Sequence, residues 1–426
     1  MLRRWSLWRC CPTADSEITR KGKRTHYGPT KETRAMRLER LKVKGFRCVK
    51  DCEIDFPNGL PLVLIGENAT GKSTIIDAAA MVCAVASGEI DRAILDRGGW
   101  GTVARGGIGG EVEFVARFAT DLHDIGAVGC PVEYTIRLGH KRGAPAVIDE
   151  EIKTYALAND HDPILILKGG VSRWLRDART GATEAVPMPC SGDPLRVRPV
   201  LADVADGTMF PTAFRVREAL SSIAVHRAFA FGIHTERVNH AERIERSAID
   251  LIVSLHALSK DDRIWRAFTA DLRAVFPWCA SMEFQTGIDC DAIELRWFDS
   301  RSGSSLGLDD MSEGMRVYLA LLAALHDPSP HALMAFDEPV SGLHPHTIRR
   351  LVKTIESRSE QNPVIVATHA DRFLDYLEYP AESIRIIRIS EHDGVVVEKI
   401  DSDLMASWLR DYSLSDLRSK EILEAP

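Results

Sequence analysis

Gly66-Glu67-Asn68-Ala69-Thr70-Gly71-Lys72-Ser73-Thr74 decides the fold. It follows an apolar run from Leu60 to Ile65 and precedes a helical stretch from Ile75 to Val85. Four to eight apolar residues bounded by turn signals read as a buried strand, so the order is strand, glycine-rich loop, helix. That context turns the pattern G-x-x-x-x-G-K-[ST] into a phosphate-binding loop. Glycines at 66 and 71 let backbone N–H groups turn inward around an anion. Lys72 brings a charge to the β- and γ-phosphates, Ser73 offers a hydroxyl to Mg²⁺, and the helix N-terminus adds its dipole. The ligand expected here is ATP with Mg²⁺, along the whole loop from Gly66 to Thr74.

Working outward, Leu38, Leu41, Val43 and Phe46 alternate with polar residues, and Cys52, Ile54 and Phe56 do so again before a Pro57-Asn58-Gly59 turn. Short β-like segments follow at Val112 to Phe118, Val132 to Leu138 and Ile164 to Leu167. Residues 212–275 read as mostly helical without sustained heptads, which disfavours a long coiled coil. Strand-like pieces return at Met282–Gln285 and Ile293–Phe298. The last third then alternates: helix from Ser312, strand 332–336, helix 346–358, strand 363–368, helix 371–378, strand 382–388. Alternation of this kind predicts an α/β domain.

Three downstream pieces carry chemistry. Leu333-Met334-Ala335-Phe336-Asp337-Glu338 is an apolar strand ending in two carboxylates. In P-loop enzymes an acid here holds Mg²⁺, so Asp337 is assigned to the metal and Glu338 to the base that deprotonates water. Met311-Ser312-Glu313-Gly314-Met315-Arg316 opens a long apolar helix, and Thr368-His369 ends the Val364–Ala367 strand.

This order resembles the ABC-type ATPase heads: P-loop, signature loop, Asp-Glu strand, D-loop, switch histidine. More narrowly it resembles the RecF/SMC/OLD-like group, often labelled AAA-family. The resemblance rests on Phe46-Arg47-Cys48-Val49-Lys50-Asp51 before the P-loop and on Asp337-Glu338-Pro339-Val340-Ser341-Gly342-Leu343-His344-Pro345 after it. It implies a P-loop α/β head with an antiparallel β subdomain and an inserted helical lobe. It also implies a homodimer, in which Ser312, Glu313 and Gly314 of one copy reach the γ-phosphate of ATP on the other. His369 would sense that phosphate and help hold the water. Departures are Ala69 where many relatives have Gly, Glu313 where transporter heads have Gly, and Thr-His-Ala at the switch. A Q-loop glutamine is not evident, and Gly98 to Gly110 is where the link to a partner is expected.

The implied organisation is a basic disordered extension over 1–35, an ATPase domain over 36–400 and a helical tail over 401–426. Within the ATPase domain, 36–118 is the P-loop lobe, 119–304 the β and helical insertion, and 305–400 the signature and switch lobe. Residues 1–35 carry nine Lys/Arg and three Asp/Glu, a net +6, so with -7 overall the rest carries -13. An acidic body argues against strong non-specific DNA binding, which needs phosphates neutralised. Arg237, His240, Arg243 and Arg246 form a basic stripe, but Glu236, Glu242 and Glu245 interleave with it and make a solvated mixed-charge face. Nine scattered cysteines without zinc spacing fit reduced thiols in the cytoplasm. No apolar run approaches the roughly 18 residues of a membrane span, which excludes a transporter carrying its own membrane domain. Beyond a second copy, the partners to weigh are DNA and a separately encoded effector protein. Only residues 370–426 follow the switch histidine, too few for the Toprim nuclease of OLD proteins.

Overall fold

A computed structural model describes residues 36–119, 131–141, 143–154, 163–168, 172–176, 183–185, 199–205, 207–227, 251–286, 293–390, 394–420 and 422–423. The basic extension 1–35 and the stripe from Arg237 to Arg246 lie outside them.

Its centre is a six-stranded sheet in the order Ala224–Arg227, Met334–Asp337, Val364–Ala367, Leu62–Ile65, Ile384–Ser390, Gly394–Lys399. The first five strands are parallel and the last is antiparallel. Leu62–Ile65 and Val364–Ala367 are buried throughout, as parallel strands covered on both faces must be. Successive side chains point to opposite faces. Leu62, Leu64, Ala335, Ile365 and Ala367 therefore pack into one core, and Val63, Ile65, Phe336, Val364 and Val366 into the other.

The first core is shared with helix Lys72–Ser87 and with an eight-stranded antiparallel sheet that runs from Val49–Asp55 and Arg37–Phe46 out to Thr183–Ala185. Val132–Lys141 and Ala144–Thr154 belong to this same sheet, so it continues past residue 118 without a break in pairing. The second core takes helices Asp262–Val275, Glu313–Leu325 and Pro345–Ser359 and a three-stranded sheet over residues 279–306. It also takes Leu414 and Leu417 from near the C-terminus. No helix among the described residues is long and apolar enough to cross a membrane.

Two expectations need correction. The described part of 212–275 is mostly helical as expected, with helix at Pro211–Ser221, 251–258 and Asp262–Val275, but the reading missed Ala224–Arg227, a strand of the central sheet. Four residues, Ala-Val-His-Arg, carry too little alternation to announce a strand. Their conformation is fixed by pairing with Met334–Asp337. The helix expected over 371–378 stops at Leu374. A second short helix starts at Pro380, whose ring disfavours helical backbone in the residue before it.

Candidate active site

The parallel strands end level with one another: Arg227 faces Asp337, Asp337 faces Ala367, and Ala367 faces Leu64. The loops leaving these carboxyl ends gather the chemistry at one edge, the usual place for a ligand in an open α/β sheet.

The loop from Gly66 to Gly71 is shaped by its backbone. Gly66 has φ 150°, and a Cβ there would lie 2.3 Å from the Ile387 carbonyl oxygen. Gly71 has φ 105° and caps helix Lys72–Ser87 without a side-chain bond; the first N–H groups of a helix have no intrahelical acceptor and suit an anion. Ala69 takes φ 65°, a left-handed conformation that costs an L-residue with a Cβ about 1–2 kcal/mol. This is the position where the resemblance expects glycine. Glu67, Asn68 and Ala69 are exposed at the loop tip, while Thr70 donates back to the Glu67 carbonyl at 2.9 Å. Lys72 is only 6% exposed, and its ammonium donates to the carbonyls of Gly66 and Glu67, each at 2.7 Å. Thr74 Oγ1 lies 3.5 Å from Cys48 Sγ.

Ser73 Oγ donates to Asp337 Oδ1 at 3.0 Å across 264 residues of sequence. Burial raises the Asp337 pKa, the neighbouring Glu338 adds to this, and the Ser73 bond, Arg227 and Lys72 oppose it. A cation between Ser73 and Asp337 would relieve that desolvation. Hydroxyl and carboxylate are the hard oxygen donors Mg²⁺ prefers. Among the described residues no three His, Cys, Asp or Glu side chains cluster, so phosphate and water oxygens would complete the shell. The two residues fit Mg²⁺ on those terms.

Glu338 sits at φ 51°, with its N–H bonded to the Ala367 carbonyl at 2.8 Å. A non-glycine held there is strained in the way functional residues often are. Its Oε2 lies 2.8 Å from His369 Nδ1 and accepts from His369 N at 3.1 Å and Thr368 Oγ1 at 3.3 Å. Glu338 and His369 line a cavity of about 650 Å³ with Ser341, Gly342, Leu343 and residues from the C-terminal helix.

Ser312 caps helix Glu313–Leu325, accepting from Met315 N at 3.4 Å, and both Ser312 and Glu313 are exposed. Gly314 lies against the Gly342 carbonyl, 3.4 Å from where a Cβ would stand. Among the described hydrogen bonds none joins Ser312, Glu313 or Gly314 to the chain's own phosphate loop.

Three features escaped the sequence reading. Asp77, one turn beyond Ser73 and 4% exposed in its side chain, receives Arg97 at 2.6 Å, Arg227 at 2.7 Å and Arg47 at 2.9 Å. Burial pushes its pKa up, but the three guanidiniums outweigh that and hold it below the ordinary value. Arg227, in register with Asp337, thus brings positive charge to the Asp337 side of the site. The third is Arg418, which bonds the carbonyls of His369 and Gly66. A buried Asp in an otherwise apolar helix was a usable signal for the first of these, and Arg47 stood in the Phe46–Asp51 motif; Arg97, Arg227 and Arg418 had none. The stretch Gly98 to Gly110 packs on the turn after the first strand, with Arg105 N bonded to the Gly45 carbonyl and the Val103 carbonyl to Arg47 N.

Residues 36–89 match a family model described as AAA ATPase domain. Residues 198–375 match one described as AAA domain, putative AbiEii toxin, Type IV TA system. No curated protein matches the chain by sequence. Among solved structures, the Smc head bound to the C-winged helix domain of ScpA aligns with TM-score 0.52 and 17% identity, over 87% of this chain and 99% of that one. The Pyrococcus furiosus Smc head with an extended coiled coil, bound to the C-terminal domain of ScpA, gives TM-score 0.51 and 15% identity, over 88% and 99%.

Proposed function

We propose that this chain, whose fold is that of an ABC/SMC-like ATPase head, hydrolyses ATP to ADP and phosphate in sites completed by a second copy of itself. The observation that carries the reading is Glu338. Its carboxylate is held by Thr368 and by both the Nδ1 and the backbone N–H of His369. It follows directly on Asp337, which is bonded to Ser73 of the phosphate loop.

The loop amides and Lys72 bind the β- and γ-phosphates and stabilise charge as it spreads over the transferred group. Ser73 and Asp337 would hold Mg²⁺, which when bound neutralises phosphate charge. Glu338 takes a proton from water as its oxygen bonds to the γ-phosphorus and the bond to the β-phosphate oxygen breaks, releasing ADP. His369 fixes the Glu338 carboxylate and is the residue assigned to sense the γ-phosphate. Ser312, Glu313 and Gly314 of the second copy supply a helix N-terminus to that phosphate and shut out bulk water.

Glu338→Gln tests this. Turnover should fall by roughly 10²–10⁴-fold, the scale of a lost general base, while ATP binding persists. Light scattering should then show an ATP-dependent dimer. A strictly monomeric, ATP-loaded variant would remove the composite site.

For biological setting, the match to a putative AbiEii toxin model favours a regulatory module of a defence system, whose ATP state gates a separately encoded effector. The Smc-head likeness supports the other reading, a DNA-maintenance or DNA-sensing ATPase. A co-purifying effector supports the first, and DNA-stimulated turnover the second.

A further inference from the structure

The helix Leu414–Ser419 lies far from the phosphate loop in sequence and against it in space. It is built to stay docked. Leu414 and Leu417 are buried, Ser413 and Asp416 form a capping box, and Ser415 N donates to Asp375 Oδ1 at 2.9 Å. From this helix Arg418, 11% exposed in its side chain, reaches three acceptors. One guanidinium nitrogen donates to the His369 carbonyl at 2.9 Å and lies 3.1 Å from Asp371 Oδ1. Its neighbour donates to the Gly66 carbonyl at 3.3 Å. Ser415, Asp416 and Ser419 of the same helix form part of the wall of the cavity holding Glu338 and His369.

We infer that Arg418 is a positioning residue for ATP hydrolysis, fastening the switch histidine to the first glycine of the phosphate loop so that the docked C-terminal helix sets the competence of the site. This rests on the ATPase reading above. Two physical points lead to it. The Gly66 carbonyl belongs to a buried residue and accepts from both Lys72 and Arg418. Turning Lys72 toward a phosphate draws it from that oxygen, which then depends on Arg418; a buried acceptor left without a donor is costly. The second point concerns His369, whose imidazole meets Glu338 while its carbonyl is held by Arg418. A planar guanidinium with several fixed donors can bridge carbonyls from two loops at once, which an ammonium does poorly.

The test uses the full chain with R418A, R418K and H369A, singly and combined, each checked by thermal melting. R418A should lower kcat and weaken ATP binding by about tenfold each, the scale of one stranded buried acceptor. R418K, which keeps charge and stem, should melt like wild type yet show most of the same loss. Adding R418A to H369A should cost kcat little more than H369A alone, because Arg418 acts on the chemistry through His369. A folded R418A with wild-type turnover, a fully active R418K, or losses that multiply in the double variant would each overturn the inference. Should wild type bind ATP but show no turnover, the hydrolysis reading fails by itself. What survives is the clasp on the phosphate loop, decided by calorimetric titration of ATP into wild type and R418A: about tenfold weaker binding supports Arg418 as a residue positioning that loop for ATP, and equal affinity ends the inference.

Discussion

The phosphate-loop side and the signature side of this molecule are finished in opposite ways. Around the loop, Ser73 meets Asp337, Glu338 meets His369, and Lys72 is satisfied by its own loop carbonyls. Every reactive side chain there already has a partner within the chain. On the signature side, the one hydrogen bond of the Ser312 hydroxyl among the described residues caps its own helix at 3.4 Å, and Ser312 is exposed with Glu313. Gly314 lies close to the Gly342 turn, 3.4 Å separating that carbonyl oxygen from where a Cβ would stand, so the two loops are neighbours. With ATP on the phosphate loop, a two-fold pairing of identical chains would bring this helix end of each copy to the phosphate held on the other.

The strongest way to break this contrast is to damage the two sides separately and then mix them. Lys72→Ala should lose at least about a hundredfold in turnover along with ATP affinity, since a charge aimed at the transition state is removed. Ser312→Arg should keep ATP affinity and lose turnover. Mixed in equal amounts, the two inactive variants should recover about a quarter of wild-type activity. Half of randomly paired dimers carry one of each, and each such dimer has one intact site. An ATPase assay of the mixture measures this, and no recovery would show that each chain works alone.

A smaller effect sharpens how the loop side is anchored. Asp77→Asn should cost about 3 kcal/mol in stability, because three arginines lose a buried counter-charge. The sign with pH follows from its lowered pKa. The contribution is present above the ordinary carboxylate value of 3.8 and is lost as the pH falls through the lower folded value. Melting curves of the two proteins should therefore converge below about pH 4. The smallest expected change is Ala69→Gly, which should raise stability by about 1 kcal/mol by relieving the left-handed φ. Denaturant unfolding would read it, and a loss of stability would mean that Ala69 is held there by packing.

What could be read in advance follows the range of the interaction. Gly66 to Ser73 is legible because a loop of this kind is made by consecutive residues, and the strand before it, Leu62–Ile65, is an unbroken apolar run. Asp337 and Glu338 are legible because a buried strand must surface at a charged end, and Ser312 because a helix must start with a cap. Ala224–Arg227 was not legible, since its strand conformation comes from pairing with Met334–Asp337 more than a hundred residues away.

By itself the sequence marked the glycine-rich loop from Gly66 to Ser73, the Asp337-Glu338 strand end, the Thr368-His369 strand end and the α/β alternation around them, all of which depend on near neighbours along the chain. Only the tertiary structure decided that Arg47, Arg97 and Arg227 converge on Asp77 and that Arg418 ties Gly66 to His369. Ion pairs and carbonyl clasps between distant segments leave no periodic trace, because their energy depends on where folding brings two side chains and not on what lies beside either of them.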